Sequence, residues 1–273
     1  MDKFSPRNSV PSVVIKPTTE DAKGTWESGG QVSKVTDTKT AMVVSAHSAD
    51  FVWRAGGAIA LYAERGWDVT VVCLSFGERG ESAKLWREPG MTIEKVKSNR
   101  KDEATRAAEI LGAKLIFFDV GDYPMRIPDS VLFELTALYR KIRPEYILTH
   151  SLRDPYNFDH PLVSHAAQEA RIVAQAHGHE PGTPVIGAPP VFLFEPHQPE
   201  QCDWKPQLLL DITAVWPRKY EAFQAMNAQE HLWYYYERVA LQRGAQASRN
   251  SNRSIKYGEA YQRLFPQVTE ELA

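Results

Sequence analysis

The stretch AMVVSAHSADFVWRAGG, residues 41–57, decides how this chain is read. Its valine-rich apolar start has the composition of a strand buried on both faces. The strand runs into a turn carrying His47 and Asp50, and a spacing of three brings both side chains to one side of a helical turn. Ala49 and Phe51 bracket the aspartate, so two metal-ligating groups stand there with no second acid or base beside them.

Four further runs share this apolar, β-rich character, namely DVTVVCLS (68–75), AKLIFFDV (113–120), EYILTHS (145–151) and PVFLFEP (190–196). Between the five runs, GAIALYAERG (57–66), IEKVKSNRKDEATRAAEILG (93–112), VLFELTALYRKI (131–142) and LVSHAAQEARIVAQAHG (162–178) carry helical periodicity. Strand and helix alternating in this way predict an α/β fold, a Rossmann-like, mostly parallel sheet with helices on both faces. Ligands in such folds sit beyond the carboxyl ends of the strands. Residues 1–39 are rich in Ser, Thr, Pro, Gly and charge and are expected to be an extension, flexible or in contact with a neighbouring subunit; residues 40–273 are expected to form a single catalytic domain.

With 273 residues and 43% hydrophobic content, the chain has ample material for a large core. A formal net charge of −2 provides no bulk basic field for nucleic acid or an anionic membrane surface. An anionic ligand must therefore be held by individual arginines. The two cysteines, Cys73 in an apolar run and Cys202 in a Pro-rich one, form no disulfide framework and fit a reducing cytoplasm. No apolar run reaches the length of a membrane span, and no export signal is apparent. The aromatic stretch HLWYYYERV (231–239) reads as core or as a contact within a homo-oligomer.

A second source of metal ligands lies after the fourth run, in NFDHPLVSH (157–165), where His160 follows Asp159. One imidazole from each loop and one carboxylate make a set of His47, Asp50 and His160 with open positions, the pattern of a catalytic zinc that also suits ferrous iron or another divalent ion. Asp159 is expected to orient its neighbour or to handle protons beside the metal. His165, His177 and His179 are expected to stand apart from it.

These residues resemble the PIG-L/LmbE superfamily of zinc-dependent N-deacetylases, whose first motif reads Ala-His-Pro-Asp-Asp followed by Gly-Gly and whose second carries an Asp-His pair. Here the motifs appear as AHSADFVWRAGG (46–57) and FDH (158–160), and LGAKLIFFDVGD, LLLDITAVWPRKYEAFQAMNAQ, RGAQA and YGEAYQRLF extend the similarity over most of residues 40–265. The resemblance implies that His47, Asp50 and His160 hold the metal. It also implies that the deacetylases' general base falls on Ala49, their proline on Ser48, and a frequent histidine on Asn157. The ligands remain while the proton-transfer groups of amide hydrolysis do not. The segments FGERGESAKLW, DYPMR, HSLRDPYNFDHPL and FEPHQPEQC resemble a branch of the superfamily that hydrates a small unsaturated oxo-tricarboxylate in aromatic-acid catabolism. The alternative is N-deacetylation of an amino sugar or related amide.

Hydration needs a base for water and an acid for carbon, both tuned toward neutrality. The Gly-hinged loop FGERGES (76–82) offers Glu81 as base and Glu78 as a second choice; His197 is the expected acid. Arg54, Arg79, Arg126, Arg153 and Arg243 are the expected carboxylate clamps, since the planar guanidinium suits bidentate binding.

Overall fold

In a computed structural model, which describes residues 38–269, seven strands and seven α-helices carry the fold: β1 (Thr40–Ser45), α1 (Asp50–Glu64), β2 (Asp68–Cys73), α2 (Ala83–Trp86), α3 (Ile93–Leu111), β3 (Lys114–Phe117), α4 (Asp129–Ile142), β4 (Tyr146–Thr149), α5 (Asp159–Gln175), β5 (Val191–Phe194), β6 (Leu208–Asp211), α6 (Trp216–Ala225), α7 (Trp233–Arg249) and β7 (Gly258–Arg263). The N-terminal extension, apart from its last two residues, lies outside the described residues.

The sheet order is β3-β2-β1-β4-β5-β7-β6. The first five strands pair in parallel; β7 runs antiparallel to both β5 and β6. Side chains of β1 alternate between two cores, as a pleated strand requires: Ala41 and Val43 pack on one face, Met42 and Val44 on the other. Helices α1, α3, α6 and α7 contribute to the first core, and α4 and α5 to the second. Strand order reverses between β1 and β4, so the loops leaving those two strands diverge and open a crevice at the sheet's carboxyl edge. The loop after β1 carries His47, and the segment after β4 carries Asp154, Asp159 and His160.

The five parallel strands match the apolar runs of the sequence. Strands β6 and β7 are additions to that expectation. β6 is only four residues long and half-buried throughout, and β7 mixes Glu259, Gln262 and Arg263 with apolar residues, so neither carries the continuous apolar signal of a central strand. α1 begins at Asp50, well before the GAIALYAERG segment that periodicity marks. Its path through Gly56 and Gly57, poor helix formers, is supported from outside. Glu259 of β7 inserts a carboxylate that accepts from the backbone N–H groups of Gly57 (2.6 Å) and Ala58 (2.8 Å). Lys219 donates to the same carboxylate at 2.5 Å and the Tyr261 hydroxyl at 2.6 Å. A Cβ at position 57 would lie 2.6 Å from Ile212 and 2.8 Å from Glu259, so only glycine admits this approach. Among the described residues no helix is long and apolar enough to cross a membrane.

Candidate metal centre and active site

His47, Asp50, Glu81 and His160 each present a ligand atom, and these atoms all lie within 4.8 Å of one another. Each imidazole is backed by a carboxylate of its own. His47 Nε2 lies 3.2 Å from Asp159 Oδ2, which leaves Nδ1 facing Asp50 (3.1 Å) and Glu81 (3.2 Å). His160 Nδ1 lies 2.8 Å from Asp154 Oδ2, which leaves Nε2 turned toward Asp50 Oδ1 (3.4 Å) and Glu81 Oε1 (4.0 Å). In both cases the backing carboxylate fixes the tautomer whose free lone pair faces the group. Asp159 is itself pinned by the N–H groups of Tyr123 (3.1 Å) and Met125 (3.0 Å), so it orients His47.

A cation fits this arrangement for two reasons. His160 Nε2 is buried and has no hydrogen-bond partner among the described residues, although it points into a nest of carboxylates. Buried polar atoms are rarely left so. The carboxylates also keep their negative charge: burial alone would raise Glu81 and Asp159, yet the nearby His47 holds both below their ordinary range. The same group drives His47 well above its ordinary value in spite of burial, because Glu81, Asp159 and Asp50 all favour its charged form. A divalent ion held by these groups would take the place of that proton.

His150 belongs to the framework of the centre. Its Nε2 accepts from the Ala46 N–H at 2.9 Å and its ring stacks on His160 with centroids 4.2 Å apart. Burial depresses its pKa, which suits a neutral acceptor. Asn157, where the resemblance puts a histidine, donates to Glu81 Oε1 at 3.3 Å and accepts from the Asp159 N–H. Ala49, next to Asp50 in the chain, is fully buried and offers only a methyl.

The centre opens onto a cavity of about 180 Å³ whose walls include Asp50, Glu81, His160, Arg54, His197 and Tyr236. Arg54 donates through Nη1 to the Glu195 carbonyl at 2.8 Å and has Nε 3.4 Å from Asp50 Oδ1. His197 stacks on Tyr235, whose hydroxyl donates to the His197 carbonyl, and Tyr236 stacks on Trp53. Part of the aromatic stretch read as core or subunit contact therefore forms a wall of the cavity.

Residues 42–171 match the family described as GlcNAc-PI de-N-acetylase, PIG-L. A 4-oxalmesaconate hydratase of Pseudomonas putida is 64% identical over 242 residues, covering 87% of this chain and 94% of the relative. The chain belongs to the PIG-L family. The crystal structure of GalB, the 4-carboxy-2-hydroxymuconate hydratase from Pseudomonas putida KT2440, is 64% identical, with a TM-score of 0.85 over 86% of this chain and 100% of the other. N,N'-diacetylchitobiose deacetylase from Pyrococcus horikoshii, at 21% identity and a TM-score of 0.70 over 84% of this chain and 85% of its own, shares the PIG-L fold.

Within this PIG-L site, the structure brings Glu81, His197, Arg54 and the expected ligands together, and it adds Glu81 to the group at ligand distance. It does not bring Glu78, Arg79, Arg126, Arg153 or Arg243 to the cavity wall. Each already has a partner. Glu78 accepts from the Phe76 N–H at 3.2 Å and faces Arg79 Nη1 at 3.3 Å. Arg79 is half exposed between Glu78 and Asp122. Arg126 donates to the Met125 carbonyl at 2.8 Å, Arg153 pairs with Asp203 at the surface, and Arg243 binds both oxygens of Glu195. Position after a strand does not set direction. Asp154 escapes sequence reasoning because it stands six residues from the histidine it orients, in a loop with no periodicity to read.

Asp154→Asn is expected to weaken metal binding about ten- to a hundredfold while leaving the fold intact, the usual effect of removing a carboxylate behind a metal-binding imidazole. Chelator competition measures it. Unchanged affinity would mean that stacking on His150 alone aligns the His160 ring.

Proposed function

We propose that this chain is a hydro-lyase that adds water to the double bond of 4-oxalomesaconate, an unsaturated oxo-tricarboxylate, giving 4-carboxy-4-hydroxy-2-oxoadipate in the catabolism of gallate and related aromatic acids. The observation that carries this reading is the centre itself. It keeps the PIG-L ligands and a cluster carboxylate, Glu81, while a buried methyl occupies position 49. The hydratase names of the Pseudomonas putida matches at 64% identity support it.

Held by His47, Asp50 and His160, a divalent ion, zinc by family precedent and ferrous iron by ligand type, would supply Lewis acidity toward water and toward developing negative charge. Glu81, kept ionised beside His47 and steadied by Asn157, is suited to take one proton from the attacking water. The water oxygen bonds to the carbon bearing the branch carboxylate, and the π electrons shift toward the carboxylate at the far end of the double bond. His197 then returns a proton to the adjacent carbon, which completes addition of H and OH. Arg54 is placed to hold a substrate carboxylate in the cavity.

The acid role has a pH consequence. Burial, and then the Arg54 charge, push His197 below the ordinary imidazole value of about 6.5 in the free enzyme. An acid must be protonated, and protonation is lost as pH rises through this lowered pKa. kcat/KM should therefore decline on its alkaline side from a pKa below about 6.5. A His197→Gln enzyme that keeps the same limb would remove His197 from the role.

Purified protein incubated separately with 4-oxalomesaconate and with an N-acetylglucosamine derivative tests the whole reading. Loss of conjugated absorbance without acetate release is expected. Acetate release without hydration would overturn it in favour of deacetylation.

A further inference from the structure

Arg100 on α3 is fully buried, yet it lies outside the catalytic cavity. Its guanidinium reaches three groups: Nε approaches the Phe76 carbonyl (3.4 Å), Nη1 binds Glu103 one turn on in α3 (2.7 Å) and Nη2 donates to Gln229 Oε1 (2.7 Å). Glu103 in turn accepts from the Ala228 backbone N–H at 2.7 Å. The buried Arg100–Glu103 pair thus clamps the turn between α6 and α7 twice, once by its backbone and once by the Gln229 side chain. Desolvating such a pair is costly, and an apolar pair would fill the space as well. The arrangement therefore serves position.

What it positions is an amide with a defined direction. A guanidinium can only donate, so the end of Gln229 bound to Arg100 must be the oxygen. The other end, Nε2, carries two donors and has no partner among the described residues. Gln229 is buried, and it lines both the catalytic cavity and a neighbouring cleft of about 600 Å³; Glu81 and Tyr123 are also common to the two. Its backbone departs from the helical conformation of the residues around it (φ −126°, ψ 33°), which suits a residue turned toward the junction of the two chambers.

We propose that Gln229 is a specificity-determining residue whose Nε2 donates to a substrate carboxylate at this junction, with Arg100 as the positioning residue that fixes the amide's direction. The inference rests on the hydratase reading above and gives the tricarboxylate a neutral donor on a different wall from the cationic Arg54. A structural glutamine would engage protein at both ends. This one engages protein only through its acceptor.

Gln229→Glu tests the proposal directly, because a carboxylate still accepts from Arg100 and the turn is retained, while the donor facing the cavity becomes a negative charge. Calorimetric titration of the metal-loaded enzyme with propane-1,2,3-tricarboxylate, an unreactive saturated tricarboxylate, should show affinity lowered about thirtyfold or more in Gln229→Glu and about tenfold in Gln229→Met. KM for the unsaturated substrate should rise in parallel and kcat fall by less than about threefold. Metal content should match the parent in both variants, and Tm should match it in Gln229→Glu, which keeps the acceptor for Arg100. Affinity within twofold of the parent in both variants would overturn the proposal, as would losses that follow loss of metal or of folding. If the parent enzyme neither hydrates the unsaturated tricarboxylate nor binds the saturated one, the hydratase reading fails instead.

Discussion

His160→Ala is expected to lose the metal and the activity together, with hydration down at least about a thousandfold. The imidazole supplies a buried nitrogen with no hydrogen-bond partner among the described residues, and this Nε2 faces Asp50 and Glu81 at 3.4 and 4.0 Å. Without it, one histidine and two carboxylates remain from the four-residue group. A Lewis acid contributes several kcal/mol to stabilising developing charge, and each 1.36 kcal/mol is about a decade in rate. The fold should survive, because His160 lies in the first turn of α5 and the neighbouring sheet core is built from other residues. Elemental analysis after dialysis, with the hydration rate on the same sample, reads both quantities. Full metal occupancy in the variant would remove His160 from the ligand set.

Ala49→Asp should lower kcat/KM for hydration about a hundredfold or more without conferring amide hydrolysis. Position 49 is fully buried and immediately precedes Asp50 in the chain, close to the carboxylates that gather around His47. A further carboxylate in that space repels its neighbours and an anionic substrate by a few kcal/mol at an effective dielectric suited to partly buried charges. It also competes with Glu81 for the water to be activated. Steady-state kinetics with the tricarboxylate, run beside an acetate assay, decide the point. A variant that hydrates normally would contradict the view that the site is built around a neutral residue at 49, and one that gains deacetylation would mark the parent as a disabled deacetylase.

The parallel half of the fold is legible because strands buried on both faces are written as unbroken apolar runs, as β1, β2, β4 and β5 are, and the partly buried edge strand β3 keeps an apolar LIF run. The antiparallel half is not. LLLD and GEAYQR gain their strand character from pairing with each other and with β5, a long-range fact absent from local periodicity. The nearness of His47, Asp50 and His160 can be read because loops after neighbouring strands converge at a fixed edge of such a sheet. The arginines resist the same reasoning. Only Arg54 of the five faces the cavity, since it rides on α1 one turn after Asp50, whereas Arg79, Arg126, Arg153 and Arg243 are engaged by groups that proximity to a strand end does not reveal. Gln229 is out of reach for a related reason. Its orientation is set by Arg100, 129 positions away in the chain.

The bond between Glu259 and the N–H groups of Gly57 and Ala58 joins residues about 200 positions apart, on the helix that carries Asp50 and Arg54. The carboxylate that braces that helix is made long after the helix itself. Contacts this distant in sequence close late and slowly. A cut that removes β7 is therefore expected to loosen the helix carrying Asp50 and Arg54 from the far end of the domain, with every candidate metal-binding group still attached.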